Sequence, residues 1–169
     1  MVKKRGWRPS PPFFALIILI LAAGTLALGK VSHNSAEGEG KYWLVIASTS
    51  GTERMAFPVE EGDGFTIKYI HSVDLLPVYE DYQVLGSDGF VLRQTRQHTF
   101  GAGLGDWQGE LKFEDGLQVI KNIDKIFIEQ YLRVGRIADH TLVLAGTETP
   151  VSQVFQGGEL VVVYIEERH

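Results

Sequence analysis

The strongest constraint on the fold of this chain is a run of apolar residues at alternating positions on both sides of residue 70. The alternating residues are Phe65, Ile67 and Tyr69 on one side, and Val78, Tyr82 and Val84 on the other. A period of two over this length predicts two half-buried β-strands. Residues 72–77 are too many for a two-residue turn, so they form a loop, and Pro77 opens the second strand.

A histidine and a carboxylate fall on the apolar face of this predicted hairpin. Symmetrical closure places His71 opposite Val78 and Tyr69 opposite Glu80. Directly opposed side chains lie about 5 Å apart and diagonal ones about 7–8 Å apart, so His71 and Glu80 are expected to meet in a partly dry place. A carboxylate beside an imidazole favours its charged form and fixes its tautomer. The pair either holds the register of the hairpin or takes part in chemistry.

Two further side chains are candidates for the same site. Ser72 follows His71 directly, so an unbroken strand points the two side chains to opposite faces, which argues against a Ser72–His71 nucleophile pair. A symmetrical turn over residues 86–89 makes Arg93 a diagonal neighbour of Glu80, whereas a bulge at the end of that turn reverses the faces. In the first case Arg93 neutralises Glu80 or binds an anionic ligand beside it. The alternative is an exposed ion pair of little energetic weight.

A glycine-rich segment forms the second candidate site. Phe100 is followed by Gly101, Gly103 and Gly105 at alternate positions. No Lys-Ser or Lys-Thr pair follows and no helix is predicted after it, so the pattern does not indicate a nucleotide site. Glycine here allows close approach of the backbone and leaves N–H groups for a ligand or for Glu80. His98 precedes the segment and either joins His71 or is merely exposed at a strand end.

Short strands separated by turn residues are predicted throughout the rest of the chain from Lys41. Besides the hairpin, the expected strands are Tyr42–Ala47, Met55–Val59, Phe90–Gln97, Glu110–Glu114, Leu117–Lys121, Lys125–Val134, Thr141–Ala145 and Leu160–Ile165. Pro58 favours an edge position for the second of these, and apolar residues on both faces favour a central position for the last. The segment Lys125–Val134 also fits a helix face, but its β-branched and aromatic content favours a strand. The sequence therefore predicts an all-β fold, a single compact antiparallel β-sandwich or barrel-like domain.

The N-terminal region has the pattern of an export signal. Basic residues cluster within the first eight positions and precede the uncharged run Phe13–Leu28. This order keeps the N-terminus in the cytoplasm and places the remainder outside. The run is short for a spanning helix, which needs about 20 residues, while Ala27–Gly29 supplies small residues for cleavage. We expect residues 1–29 to be a signal peptide or membrane anchor, 30–40 a flexible linker and 41–169 an extracytoplasmic β-domain, membrane-tethered or secreted.

Composition restricts the partners and cofactors of this domain. From Lys30 onward, twelve Lys and Arg face twenty-one Asp and Glu, a net charge of −9, which argues against nucleic acid or anionic lipid as a partner. Without cysteine there are no disulfides, thiolate nucleophiles or Cys-based metal sites. Acidic residues around position 61 lack the alternating spacing of a calcium loop, and the remaining histidines lack partners at metal-ligand spacing. We expect no metal and no cofactor.

Three motifs together resemble those of a bacterial and archaeal family, the domain of unknown function eighteen-fifty. The motifs are Tyr69-x-His71-Ser72-Val73, Pro77-Val78-x-Glu80-x-Tyr82 and Phe100-Gly101-Ala102-Gly103-Leu104. The similarity extends over roughly residues 42–165, and the chain departs from the pattern at Gly105, where proline is expected. The resemblance implies a small exported protein whose gene often lies beside those of TRAP-type transporters of the TAXI subclass, which are ATP-independent carriers with a solute receptor. It carries no assigned activity.

Two functional hypotheses follow. The first is a non-enzymatic accessory or binding module of such a transporter, which contacts a receptor, permease or solute. Its expected site residues are Tyr69, His71, Ser72, Glu80, Arg93, Gly101, Gly103 and Leu104. The second is a small hydrolase with His71 as general base, Glu80 as its orienter, and water or Ser72 as nucleophile. An accessible cleft at His71 favours the enzyme, and a sealed one favours packing or docking. A third alternative is that the motif only stabilises the hairpin.

Overall fold

A computed structural model describes residues 40–98 and 108–168 of the 169-residue chain. The predicted signal or anchor segment, nearly all of the predicted linker and the glycine-rich segment lie outside the described residues. Within the described ranges, no helix is both long and apolar enough to span a membrane.

Within residues 40–98 and 108–168, eleven antiparallel strands form two sheets. The strands are β1 (Tyr42–Ser48), β2 (Arg54–Val59), β3 (Gly64–Ile70), β4 (Pro77–Val84), β5 (Phe90–Gln97), β6 (Glu110–Glu114), β7 (Leu117–Phe127), β8 (Glu129–Arg133), β9 (Thr141–Leu144), β10 (Thr147–Pro150) and β11 (Leu160–Glu167). The smaller sheet has the order β2-β1-β11-β8 and the larger sheet the order β10-β9-β3-β4-β5-β7-β6. The all-β prediction is therefore confirmed.

The main hydrophobic core contains side chains from both sheets. Strands β1, β2 and β11 contribute Leu44, Ile46, Met55, Val59, Val161 and Val163, and strands β3, β4, β5 and β9 contribute Phe65, Ile67, Tyr82, Val84, Phe90, Leu92 and Leu142. Because the apolar faces of two antiparallel sheets bury each other, the architecture is that of a sandwich. A second, smaller cluster contains Trp43, Val45 and Ala56.

The predicted strand positions agree closely with the structure. β2, which contains Pro58, lies at the edge of the smaller sheet, and β11 lies inside it, as expected. The ambiguous segment Lys125–Val134 is extended, but it belongs to two strands, since β7 ends at Phe127 and β8 begins at Glu129 in the other sheet. Strand β10 was not expected, because its sequence, Thr147–Pro150, has no apolar alternation.

The β3–β4 hairpin keeps the predicted faces but has a different register. Tyr69 opposes Val78 and Ile67 opposes Glu80, a shift of two residues from the symmetrical expectation. A shift of two leaves every side chain on its original face, because side chains alternate with a period of two. The strand β3 ends at Ile70, so His71 lies in the connecting loop.

The turn between β4 and β5 depends on Gly89. This residue has φ of +91°, and a Cβ atom added to it would lie 2.2 Å from the carbonyl oxygen of Phe127.

We expect Gly89→Ala to lower the free energy of unfolding by more than about 1 kcal/mol, because alanine is strained at positive φ and the Phe127 backbone must move. Chemical denaturation checks this. Gly116→Ala is the matched control, since Gly116 has φ of +78° but nothing within 4 Å. Equal losses of unfolding free energy in the two variants would show that the contact with Phe127 adds nothing to the cost of replacing Gly89.

Candidate functional site

Glu80 is the centre of a polar cluster inside the sandwich. The hydroxyl of Tyr82 donates a hydrogen bond of 2.7 Å to Glu80 Oε2, and the hydroxyl of Tyr69 donates one of 3.4 Å to Oε1. Gln130, on β8 of the smaller sheet, also hydrogen-bonds with the carboxyl group. The cluster therefore joins the two sheets through one acidic side chain.

Burial determines the ionisation behaviour of this cluster. Burial raises the pKa of Glu80, and the hydrogen bonds from Tyr82, Tyr69 and Gln130 only partly oppose that rise. Burial, together with the nearby charge of Glu80, also raises the pKa of both tyrosines. The phenols therefore stay protonated and act as hydrogen-bond donors to the carboxyl group.

His140 extends the cluster on the far side of Tyr69. The two rings are stacked, with centroids 5.2 Å apart and planes at 28°. The backbone N–H of Gly135 donates to His140 Nδ1 over 3.4 Å, and burial lowers the pKa of the imidazole. No sequence pattern indicates His140 as a member of the site. It is brought there by the pairing of β9 with β3, a contact between residues far apart in sequence that no local pattern indicates.

His71 is paired with Asp74 rather than with Glu80. Its Nδ1 lies 3.3 Å from Asp74 Oδ2 and 3.4 Å from the backbone nitrogen of Asp74. The hydrogen bonds of Glu80 go to Tyr69, Tyr82 and Gln130 instead. The physical reason is the register, which places His71 beyond the end of β3. His71 is 8% exposed and therefore buried.

The loop after His71 presents apolar side chains to solvent. Val73 is 75% exposed, Leu75 is 61% exposed and Leu76 is 36% exposed. The loop is closed by hydrogen bonds from His71 N to Leu76 O and from Leu75 N to His71 O, each 2.9 Å long. Ser72, at its start, is exposed. We refer to residues 72–76 as the apolar loop.

Leu75 has an unusual backbone conformation within the apolar loop. Its φ is +56°, in the left-handed region. This region is populated mainly by glycine, asparagine and aspartate, and it costs a leucine about 1–2 kcal/mol. The position thus combines a strained backbone with an exposed aliphatic side chain, although glycine or asparagine would relieve the strain and hydrate better.

The expected proximity of Arg93 to Glu80 is wrong. Arg93 lies at an irregularity in the β4–β5 and β5–β7 pairings, so the predicted alignment of Tyr82 with Arg93 is replaced by Tyr82 with Leu92. The guanidinium is exposed, donates to Gln83 Oε1 and pairs with Asp124. A bulge breaks the period of two, and the sequence does not mark its position.

A different arginine anchors a polar network on the outer face of the larger sheet. Arg96 donates to Asp81 through Nε at 2.8 Å and Nη2 at 3.0 Å, and it lies over the ring of Tyr79. Gln94 and Thr66 also donate to Asp81. Burial alone raises the pKa of Asp81, but these hydrogen bonds hold it below its ordinary value. This network was not predicted from the sequence, because the alternating pattern identifies the apolar face of the sheet and these polar residues lie on the opposite face.

The remaining candidates from the sequence either lie outside the described residues or lie away from the Glu80 cluster. Gly101, Gly103 and Leu104 lie outside the described residues. His98 is exposed. Among residues 40–98 and 108–168, no group of three or more His, Asp or Glu side chains could hold a metal ion.

Comparison with known proteins places the chain in a family. No curated protein and no solved structure matches it. One family model, described as a domain of unknown function (DUF1850), matches residues 65–151. This range covers just over half of the 169 residues and includes the apolar loop, Glu80, Arg96 and His140. The chain therefore belongs to the family of domains of unknown function called DUF1850.

Proposed function

We propose that this protein is an extracytoplasmic accessory module of a TRAP-type transporter of the TAXI subclass, and that it docks on the receptor or permease through the apolar loop. The transporter follows from the family resemblance, since the family's genes are expected beside those of such carriers. The contact surface follows from the exposed side chains of Val73 and Leu75.

The docking surface is inferred from Leu75, whose side chain is exposed and whose backbone lies in the left-handed region. An exposed leucine loses hydrophobic free energy of about 1.5–3 kcal/mol relative to a buried one, and its left-handed backbone adds a further cost. Strain and exposed apolar surface at one residue are typical of sites where a partner is contacted. Burial of Leu75 against a partner recovers the first of these costs.

The surrounding residues hold the apolar loop in place. His71 closes its base through two backbone hydrogen bonds and through Asp74. Ile70 N donates to Ala138 O over 2.7 Å, which ties the base to a second loop that carries Ile137, 65% exposed. A loop fixed at its base presents apolar side chains at a lower entropic cost of binding than a free one. The role of His71 in this proposal is therefore positional.

Affinity capture of the full-length, membrane-tethered chain from its native host tests the proposal. We expect the TAXI-type solute receptor or permease to be recovered with the wild-type chain and lost with Leu75→Asn, as measured by mass spectrometry. Asparagine tolerates positive φ, so Leu75→Asn is also expected to keep or raise the melting midpoint. Loss of binding without loss of stability separates docking from a structural role.

Ile128→Asn is the matched control. Ile128 is 75% exposed in the connection between β7 and β8, so this variant removes an aliphatic side chain that is more exposed than Leu75, at another place on the surface. It is expected to retain the partner. Equal recovery with all three chains would contradict docking through the apolar loop, and absence of both transporter components from the wild-type sample would contradict the transporter association.

As a second proposal, the protein is a small hydrolase with His71 as general base. It differs from the hypothesis based on the sequence in one residue, the one that orients His71. The described residues place the carboxylate of Asp74 3.3 Å from His71 Nδ1, so Asp74 takes the orienting role first expected of Glu80. Ser72 or water stays the expected nucleophile. A panel of chromogenic esters compares the wild-type chain with His71→Ala and Asp74→Asn. Hydrolysis lost in His71→Ala and reduced in Asp74→Asn supports this proposal, and equal rates in all three chains contradict it.

A further inference from the structure

Three buried oxygen atoms among the described residues have no hydrogen-bond partner. They are Thr95 Oγ1, Gln118 Oε1 and Gln130 Oε1. Folded proteins pair roughly nine in ten or more of their buried polar groups, so three such atoms in one region call for a physical explanation. We refer to Glu80, Thr95, Gln118 and Gln130 as the oxygen cluster.

Strand register places Glu80, Thr95 and Gln118 on one face of the larger sheet. Thr95 on β5 directly opposes Glu80 on β4, which corresponds to about 5 Å between their Cβ atoms. Thr95 also opposes Ile120 on β7. Gln118 lies two residues before Ile120 and therefore on the same face of the sheet. Gln130 joins from the other sheet by its hydrogen bond with Glu80.

The unpartnered atoms define the chemistry that would satisfy them. Amide oxygens only accept hydrogen bonds, and the hydroxyl of Thr95 accepts as well as donates. A molecule bound here must therefore be a donor. The neighbouring carboxyl group of Glu80 favours a positive charge and opposes an anion. A primary ammonium group combines three N–H donors with one positive charge.

We propose that the oxygen cluster binds a small cation with N–H donors, of the primary ammonium class. Thr95 is 1% exposed, so the bound group is enclosed by the sandwich. We expect access from the side of β8, because it is a five-residue edge strand of the smaller sheet whose Glu129 and Tyr131 are exposed. This site is separate from the apolar loop and goes beyond the docking function proposed above.

Methylammonium chloride is the probe, and tetramethylammonium chloride is its matched control at equal ionic strength. Both cations carry one positive charge, but only methylammonium has N–H donors. We expect methylammonium to raise the melting midpoint of the full-length chain in detergent micelles and to give saturable heat in titration calorimetry, with tetramethylammonium and sodium giving neither. Equal effects of the three salts would overturn the proposal. So would the absence of any effect of methylammonium, because water alone would then satisfy the oxygen atoms.

Thr95→Val tests the site itself. Valine keeps the shape of threonine and removes its hydroxyl, so we expect methylammonium binding to weaken roughly tenfold. Without probe, the melting midpoint of Thr95→Val should stay the same or rise, because an unpartnered polar group has been removed. Thr66→Val is the control, since Thr66 lies on the outer face of the same sheet and donates to Asp81. A lower midpoint for unliganded Thr95→Val, or equal weakening in both variants, would overturn the proposal.

Discussion

Glu80→Ala is expected to lower the free energy of unfolding by about 2–3 kcal/mol. The change leaves the hydroxyls of Tyr82 and Tyr69 without their acceptor inside the sandwich, and each buried donor left unpaired costs about 1–3 kcal/mol. It also removes the hydrogen bond between Glu80 and Gln130, which joins the two sheets. Urea denaturation at neutral pH measures the loss. A change below about 0.5 kcal/mol would contradict the buried, hydrogen-bonded state of the carboxyl group.

The same carboxyl group predicts a direction of pH dependence. Because burial raises the pKa of Glu80, the folded chain holds this proton more tightly than the unfolded chain does. Its contribution to stability is therefore fully present below the ordinary carboxyl pKa of 4.5, and it is lost as the pH rises through the raised value. Glu80→Gln keeps the shape and removes this titration. The stability of the wild-type chain relative to Glu80→Gln should thus decrease as the pH rises from 4.5.

Glu61→Gln controls for the general effect of removing a carboxylate. Glu61 lies exposed in the turn between β2 and β3, so its replacement removes one carboxylate without disturbing the interior of the sandwich. If Glu80→Gln and Glu61→Gln gave the same slope, the raised pKa of Glu80 would be contradicted.

Phe90→Ala is expected to have the largest effect on stability, about 3–5 kcal/mol. Phe90 is fully buried, stacks on Phe127 with centroids 5.8 Å apart, and contacts the edges of Phe65 and Tyr82 at 5.4 Å each. Alanine leaves a cavity at the centre of this aromatic group, and the surrounding strands cannot close it without breaking their pairing. The melting midpoint should fall by roughly 10 °C or more.

Phe113→Ala is the matched control for this prediction. Phe113 lies on the edge strand β6 and is 73% exposed. Since a surface substitution of this kind usually changes stability by less than about 0.5 kcal/mol, the two phenylalanines should differ clearly in the same assay. Similar losses would mean that Phe90 is not the centre of the core.

Several features of the fold were predictable because they depend on local patterns. Alternating apolar residues predicted the faces of β3 and β4. These faces are correct even though the predicted register was wrong by two residues. Pro58 marked an edge strand, and Asp115 and Gly116, both with positive φ, form the turn of the β6–β7 hairpin. Each of these features follows from backbone geometry within a few residues.

The site was only partly predictable, because its contacts join distant strands. The importance of Glu80 and Tyr69 followed from their shared face, and the two side chains do meet. The partner Gln130 lies on β8 and His140 lies directly before β9, both far along the chain. Arg93 was misplaced by one bulge, since a single extra residue reverses the alternation and the sequence carries no mark of it.

The sequence by itself determined the class of fold, the faces of the central hairpin and the identity of its acidic centre. These depend on residue periodicity and turn chemistry, which act over short distances along the chain. Only the tertiary structure decided that Tyr82 and Gln130 also hydrogen-bond with Glu80, that His71 belongs with Asp74, and that Leu75 is both strained and exposed. The physical reason is that sheet register and sheet packing are set by many side chains acting together, so no single segment specifies them.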